Sequence, residues 1–274
     1  MDISKFLTIP PYSLNKIEKE KLLSPYFSEL FRHHYKKCEK FKKMMDGIGF
    51  DVEKENKYSE LPFLPVRLFK MFDLMSVPKE DVVKTLTSSG TSGQAVSRIY
   101  LDKENTVNQT KILTKIVSSF IGTNRAPMII IDTESVIKNR KLFSARGAGI
   151  IGFSLFGSRP IYALDEQMKL KIDDLKEYVE KFKDKRIFMF GFTYMIFQHF
   201  YKELVENGIK LDLSNAVLIH GGGWKKLTNE SISSSAFREK LYNVCGIKSV
   251  HDYYGMVEQT GTIYMECEQG HLHA

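Results

Sequence analysis

Residues 187–223 read IFMFGFTYMIFQHFYKELVENGIKLDLSNAVLIHGGG, and this stretch contains one strand-helix-strand unit. The aromatic run Ile187–Phe190 predicts a strand, and an amphipathic segment over about 193–207 predicts a helix that ends at an Asn-Gly pair. A second apolar run, Ala216–His220, predicts the returning strand. Such alternation is typical of βαβ units built around a mostly parallel sheet.

The same alternation continues on both sides of this unit. Further strands are predicted at Pro127–Ile131, Ile150–Phe156, Ser249–Tyr253 and Thr262–Glu266, and further helices over about 104–120, 165–183 and 229–244. We therefore predict an α/β fold in which mixed, mostly parallel sheets are flanked by helices. Residues 86–274 would form this core.

Residues 1–85 are predicted to form a helical N-terminal preface packed on the main domain. Ser24 followed by Pro25 resembles an N-cap and first helical position. Apolar residues recur at helical spacing from there to Met45. His34 and Cys38 share this apolar stripe, and without further ligands their spacing indicates packing rather than a metal site.

Composition limits the classes of function. The chain has 274 residues, 43% of them hydrophobic, and a formal charge of +7 that is spread along the chain, so no nucleic-acid partner is predicted. No apolar run is long enough to span a membrane, and the N-terminus lacks the pattern of a signal peptide. The three cysteines form no CxxC pair. We expect a cytoplasmic protein.

The segment TLTSSGTSGQAVSRIYL at 85–101 runs from a strand-like lead into small and hydroxyl residues and then back into a β-branched run. Hydroxyls and unobstructed backbone N–H groups suit the oxygens of a polyphosphate. A flexible Ser/Gly turn is the alternative. The candidate phosphate-binding residues are Ser88, Ser89, Gly90, Thr91, Ser92 and Gly93.

Two more apolar strands end in distinctive turns. VLIHGGGWKK at 217–226 ends in the triplet Gly221, Gly222 and Gly223, which would permit a planar ring such as adenine to lie against the backbone. VHDYYGMVEQTG at 250–261 offers aromatic rings for stacking and two carboxylates, one of them suited to magnesium. A tight connection and a surface turn are the respective alternatives. The candidate residues in the last segment are Asp252, Tyr253, Tyr254, Gly255 and Glu258.

These three loops, in this order, resemble the phosphate-binding, adenine-binding and Tyr-Gly-x-x-Glu motifs of the adenylate-forming superfamily. LPFLPVRLFK at 61–70, TSSGTSG and YGMVEQTG most resemble the acyl-protein synthetases of bacterial luminescence, the LuxE type. Phenylacetate-CoA ligases are similar too. The resemblance covers about residues 55–274.

The resemblance implies the large N-terminal domain of an adenylate-forming ligase, which activates a fatty or aryl acid with ATP and passes the acyl group to a thiol. The acceptor would be a protein, such as an acyl reductase, or CoA; a nucleotide-binding module without turnover is a further alternative. It also implies that Glu258 is the catalytic, magnesium-binding carboxylate, and that the loop Phe190, Gly191, Phe192 and Thr193 lines the acyl site.

The sequence departs from the superfamily pattern in three places. Gln94 replaces a lysine common after the phosphate loop, and Val257 replaces the usual threonine before the glutamate. Relatives continue into a lysine-bearing C-terminal domain, so we expect this chain to be a truncated fragment with weak activity. Cys267, His271 and His273 crowd the C-terminus, and the sequence leaves open whether they bind a metal.

Overall fold

The computed structural model describes residues 3–88, 95–138, 145–260 and 262–273, without the side chains of residues 145, 225, 226 and 228. The chain divides into two compact units. The first comprises Met1–Lys115 and Gly255–Thr262, and the second comprises Ile116–Tyr254 and Ile263–Ala274. The division into compact units does not test the domain boundary expected at residue 85, and that boundary stays a prediction.

The first unit is mostly helical. Its helices are α1 (Ser4–Thr8), α2 (Lys16–Lys37), α3 (Glu39–Gly47), α4 (Arg67–Met71) and the first part of α5 (Lys103–Ile121), with 3₁₀ turns at Tyr58–Glu60 and Lys79–Asp81. The predicted apolar stripe is confirmed only in part: Cys38, Phe41 and Met45 are buried in a core cluster with Val52, but the helix is interrupted at Cys38, where α2 ends and α3 begins. His34 is hydrogen-bonded to Ser76 through Nδ1 at 2.6 Å, and burial lowers its pKa to about 4.

The start predicted at Ser24 is wrong. α2 begins nine residues earlier, with Asn15 as its N-cap, because Asn15 Oδ1 accepts hydrogen bonds from the backbone N–H groups of Ile17 and Glu18 while Glu18 caps the N–H of Asn15. Pro25 lies inside this helix. The Ser24 hydroxyl donates to a carbonyl one turn back, and its oxygen accepts from the N–H of Tyr58.

A two-stranded antiparallel hairpin follows the helices. β1 (Lys84–Thr87) pairs with β2 (Arg98–Leu101), so the chain does leave and re-enter a strand around the predicted phosphate loop. Asp73 Oδ1 accepts from Arg98 Nε at 2.8 Å and from Tyr100 Oη at 2.7 Å. These bonds attach β2 to the segment that follows α4.

The second unit contains a seven-stranded sheet in the order β4-β3-β5-β6-β7-β8-β9. Strands β3 to β7 are parallel to one another, and β8 and β9 add antiparallel strands next to β7 at one edge. The bounds are β3 (Ala126–Ile131), β4 (Gly157–Tyr162), β5 (Ile187–Phe192), β6 (Ala216–Gly221), β7 (Ser249–Tyr254), β8 (Tyr264–Glu266) and β9 (Leu272–His273). The predicted α/β class with a mostly parallel sheet is confirmed.

Helices flank this sheet. They are the end of α5, α6 (Ser135–Lys138), α7 (Ala145–Ser154), α8 (Ile172–Lys181), α9 (Thr193–Met195), α10 (Lys202–Glu206) and α11 (Ser234–Cys245); a π-helical turn at Ile196–Tyr201 joins α9 to α10, and a 3₁₀ segment covers Lys225–Glu230. The core lies in β3, β5 and β6, in which every residue is buried. In the described part of the chain, no helix has the length and apolarity to cross a bilayer.

Two secondary-structure predictions in this unit are wrong. The apolar run Ile150–Phe156 belongs largely to helix α7, because Ile150 and Phe153 are buried at helical spacing while Ile151 is 47% exposed. The helix predicted from residue 165 begins at Ile172. Before it, Asp165 Oδ1 accepts from the N–H groups of two following residues and forms a tight turn.

Candidate functional site

Three of the predicted segments meet at one edge of the sheet. Phe192 at the end of β5 is paired with Gly221 at the end of β6, and Gly221 is paired with Tyr253 in β7. Because these strands are parallel, their carboxyl ends lie side by side. In open α/β sheets, ligands bind beyond such ends.

The glycine triplet is packed against the chain's own aromatic rings. A Cβ on Gly221 would lie 2.6 Å from Tyr253 Cε1, and one on Gly222 would lie 2.3 Å from Phe192 Cδ1. Gly222 and Gly223 also have positive φ angles, +79° and +63°, which favour glycine. A Cβ on Gly223 would meet nothing within 4 Å. Gly221 and Gly222 are therefore needed for close packing, and Gly223 only for its backbone angle.

A buried network links the loop after β5 to the glycine turn. Thr193 Oγ1 donates to the carbonyl oxygen of Gly221 at 3.1 Å and lies 2.9 Å from His220 Nδ1. Because the single hydroxyl hydrogen goes to the carbonyl, His220 Nδ1–H donates to Oγ1, which assigns the tautomer. Burial lowers the pKa of His220 to about 3, so the ring stays neutral above acidic pH. The sequence pattern does not show these two contacts, because both depend on strand register.

Asp252 is the register partner of His220. Its Oδ1 lies 3.7 Å from His220 Nδ1, and its side chain is 41% exposed. Burial, followed by repulsion from the Glu266 carboxylate, raises the pKa of Asp252 to about 6. The backbone N–H of Asp252 donates to Glu266 Oε2 at 3.1 Å. At neutral pH the Asp252 carboxylate is therefore an ionised, partly exposed hydrogen-bond acceptor, and its backbone is held by the bond to Glu266.

The predicted acyl-loop residues lie mostly in the interior. Phe190 is fully buried and stacks on Phe153, with ring centroids 4.4 Å apart and an interplanar angle of 21°. Gly191 allows close packing, since a Cβ there would lie 2.9 Å from Ile131 Cβ. Because Phe190 is fully buried, it can contribute to an acyl site only by packing beneath the residues that line the site.

The two tyrosines after Asp252 differ in environment. The Tyr253 ring centroid lies 4.9 Å from that of Phe153, and burial raises the Tyr253 pKa to about 12. Tyr254 is 50% exposed, with the Tyr264 ring 6.1 Å away. Tyr254 is therefore the ring that remains open for stacking on a ligand.

A polar cluster that sequence reasoning missed follows β3. Asp132, 1% exposed, accepts from Arg146 Nη2 at 2.9 Å, and Arg146 Nη1 donates to the Tyr194 hydroxyl at 3.1 Å. Burial raises the pKa of Asp132 despite the guanidinium. The arrangement fastens α7 to the helix after β5. Its only sequence signal was an aspartate directly after an unbroken apolar strand.

In the first unit, Ser88 lies at the base of the predicted phosphate loop. Its N–H donates to the carbonyl of Ser97 at 3.2 Å, and its Oγ accepts from the N–H of Ser97 at 2.9 Å. These bonds close the hairpin just above β1 and β2. The other five candidates, Ser89, Gly90, Thr91, Ser92 and Gly93, lie outside the described residues.

Glu258, also in the first unit, occupies a turn and is half-buried. Within the described part of the chain its carboxylate forms no ion pair. Gly255 precedes this turn and is exposed. A carboxylate on a turn offers a hard oxygen ligand, so Glu258 remains chemically suited to magnesium.

The C-terminal Cys267, His271 and His273 do not form a metal site in the structure. Over residues 3–88, 95–138, 145–260 and 262–273, no group of three or more metal-ligating side chains is found. His251 is also engaged elsewhere. Its Nδ1 lies 2.9 Å from the Glu266 carbonyl oxygen, and its Nε2 lies 2.9 Å from Ser249 Oγ.

Comparison with known families decides the assignment. The family model described as acyl-protein synthetase, LuxE, matches residues 3–274. The chain belongs to this family. The resemblance drawn from the three loops is thereby confirmed, and it extends to the first fifty residues.

Two relatives carry the name long-chain-fatty-acid–luciferin-component ligase. The one from Aliivibrio fischeri is 23% identical over an alignment of 263 residues, and the match covers 92% of this chain and 66% of the relative. The one from Photorhabdus luminescens is 29% identical over 76 residues, which are 28% of this chain and 65% of the relative. The chain therefore spans just under two thirds of the length of these relatives.

Two solved structures are similar to part of this chain. ATP-bound MatB from Rhodopseudomonas palustris is 13% identical with a TM-score of 0.40, covering 68% of this chain and 31% of that chain. The amide bond synthetase McbA from Marinactinospora thermotolerans is 15% identical with a TM-score of 0.40, covering 69% of this chain and 34% of that chain.

Proposed function

We propose that this family member binds ATP and a fatty acid, and that it contributes to activating the acid as an acyl-adenylate for transfer to a protein thiol. The observation that carries the proposal is the edge formed by β5, β6 and β7. There the acyl loop, the glycine turn and the Asp-Tyr-Tyr segment lie side by side. The family match supports a protein as acceptor, and the names of the relatives support a long-chain acid.

In the proposed reaction, a carboxylate oxygen attacks the α-phosphorus of ATP, the bond to the β-phosphate oxygen breaks, and pyrophosphate leaves. The thiolate of the acceptor then attacks the acyl carbon, and AMP leaves with the electron pair of the broken C–O bond. Both reactants of the first step are anions, so positioning and charge neutralisation supply most of the catalysis.

Each segment has a defined part in this proposal. Asp252 accepts from the exocyclic amine of adenine, Tyr254 stacks on the base, and the backbone of Gly221 to Gly223 lies against the adenine ring. Thr193 and the residues before it, Phe190 to Phe192, shape the acyl site. Ser88 to Gly93 hold the β- and γ-phosphates. Glu258 would hold magnesium, which neutralises phosphate charge when bound.

The proposal also covers the cellular location of the protein and the protein that accepts the acyl group. We propose a cytoplasmic location, supported by the three free cysteines and by the need for ATP. The thiol acceptor is proposed to be a second protein of the acyl reductase kind.

Calorimetric titration with ATP tests the proposal. Residues 1–274 should bind ATP in the presence of magnesium, and Glu258→Gln should weaken this magnesium-dependent binding by about tenfold, the effect of losing one charged contact. Adenosine binding without metal should not change. If the wild-type chain fails to bind ATP, the proposed function is wrong; if Glu258→Gln gives the wild-type magnesium curve, only the assignment of Glu258 is wrong.

A companion variant tests the phosphate loop. Gly90→Val places a Cβ where phosphate oxygens would approach and should weaken ATP binding far more than adenosine binding. Equal losses for both ligands would indicate general damage to the loop. An unchanged ATP affinity would remove the phosphate assignment.

The acid is tested by exchange of labelled pyrophosphate into ATP. A long-chain fatty acid should stimulate the exchange, and acetate should not. Equal stimulation by both acids would contradict the fatty-acid assignment while leaving ATP-dependent activation intact.

A further inference from the structure

An open groove of about 420 Å³ lies at the edge of the sheet opposite to the candidate nucleotide site. It is formed where β5, β6 and β7 begin, whereas the candidate site is formed where the same strands end. Phe120 forms an apolar wall. Lys183, Lys185, Arg186 and Lys248 also line the groove.

The groove exists because the middle strand begins with small residues. Ser214, Asn215 and Ala216 lead into β6, whereas Arg186 leads into β5 and Lys248 leads into β7. Neighbouring strands are about 4.8 Å apart, so the backbones of Arg186 and Lys248 flank the gap at a separation of about 10 Å. Two long cationic side chains at that separation can converge on one anion between them.

The side chain of Asn215 binds the backbone of the loop that carries Lys183, Lys185 and Arg186. Asn215 Nδ2 lies 3.3, 3.0 and 2.6 Å from the carbonyl oxygens of Phe182, Lys183 and Lys185. Only the nitrogen of the amide can donate to carbonyls, so the orientation of Asn215 is determined. The cations of the loop therefore extend from a fixed backbone, which lowers the entropic cost of binding an anion.

The groove has a net positive charge. Lys183 is paired with Glu180, but Lys185, Arg186 and Lys248 form no ion pair with any described residue. Asp184 is the single carboxylate that lines the groove. We propose that this groove binds a phosphate monoester with an apolar portion, such that Lys185, Arg186 and Lys248 contact the phosphate and Phe120 contacts the apolar portion.

Calorimetric titration of the full chain with phenyl phosphate tests this site. We expect saturable binding at one site, unchanged by saturating ATP and magnesium, since the groove lies away from the candidate nucleotide site. The double variant Arg186→Gln with Lys248→Gln removes two charged contacts and should weaken binding by about a hundredfold, or tenfold for each contact.

A matched control removes the same net charge elsewhere in the second unit. Lys176 and Lys210 are exposed and do not line the groove, so Lys176→Gln with Lys210→Gln should change the affinity by less than about twofold. Melting temperatures of both double variants check that folding is intact. Equal weakening in the two variants, absence of saturable binding, or displacement by ATP would each overturn the proposal.

Discussion

Two regions of the molecule differ in the contacts that their functional candidates make. One is the edge where β5, β6 and β7 end, and the other is the turn that carries Glu258. At the sheet edge, the chain's own rings fill the space beside Gly221 and Gly222, and Thr193 and His220 bond to each other. In the turn, the Glu258 carboxylate has no ion-pair partner in the described part of the chain. The edge therefore depends on packing for its shape, whereas no described ion pair fixes the Glu258 carboxylate in the turn.

The largest expected effect is at Gly222. Gly222→Ala places a Cβ 2.3 Å from Phe192 Cδ1 at a φ of +79°, so overpacking adds to backbone strain and should lower the free energy of unfolding by about 3 kcal/mol or more. Gly223→Ala is the matched control, because it carries strain without a clash and should cost only about 1–2 kcal/mol. Urea unfolding measures both, and equal losses would contradict the packing explanation.

The network behind the edge should give an intermediate effect. Thr193→Val removes the donor to the Gly221 carbonyl and leaves His220 Nδ1 without its partner, which should cost about 1–3 kcal/mol. Thr114→Val is the control, since Thr114 is exposed and bonds only within its own helix. If both variants unfold at the same urea concentration, the Thr193 network contributes nothing to stability.

Asp252 should give a smaller, pH-dependent effect. Its folded pKa of about 6 exceeds its ordinary value of 3.8, so the carboxyl group lowers stability as pH rises from about 4 to about 6. Asp252→Asn should remove this decline. Between pH 4 and pH 7, the free energy of unfolding of the variant should therefore rise by about 1 kcal/mol relative to that of the wild type, after allowance for solvent screening of a partly exposed group.

Asp212→Asn is expected to act in the opposite direction. Hydrogen bonds from Ser214 lower the Asp212 pKa, so this carboxylate stabilises the fold above its unfolded pKa and the stabilisation is lost as pH falls. Unfolding curves at pH 4 and pH 7 distinguish the two variants. The same sign for both would contradict the burial explanation at Asp252.

The smallest effect on stability is expected at Glu258. Because its carboxylate has no ion pair among the described residues, Glu258→Gln should change the free energy of unfolding by less than about 0.5 kcal/mol. A loss comparable with that of Thr193→Val would indicate a structural role, and the contrast between the turn and the sheet edge would fail.

The sequence predicted the elements whose signals are local. β3, β5 and β6 were found because each is a short apolar run. The helix predicted over about 229–244 ends within one residue of the end of α11, which is followed by Gly246 at a φ of +72°. The errors arose where one local signal had two interpretations. The apolar run from Ile150 fits a buried strand or a buried helix, and Ser24-Pro25 imitates a helix start.

By itself, the sequence determined the α/β class, the family resemblance and the three segments that would carry chemistry, because these features depend only on residue types and their spacing along the chain. Only the tertiary structure decided that Thr193 bonds to Gly221, that His220 lies opposite Asp252, and that a basic groove forms where β5, β6 and β7 begin. Those contacts depend on which strands are neighbours and on their register. A shift of one residue would turn every side chain to the other face without altering the local pattern.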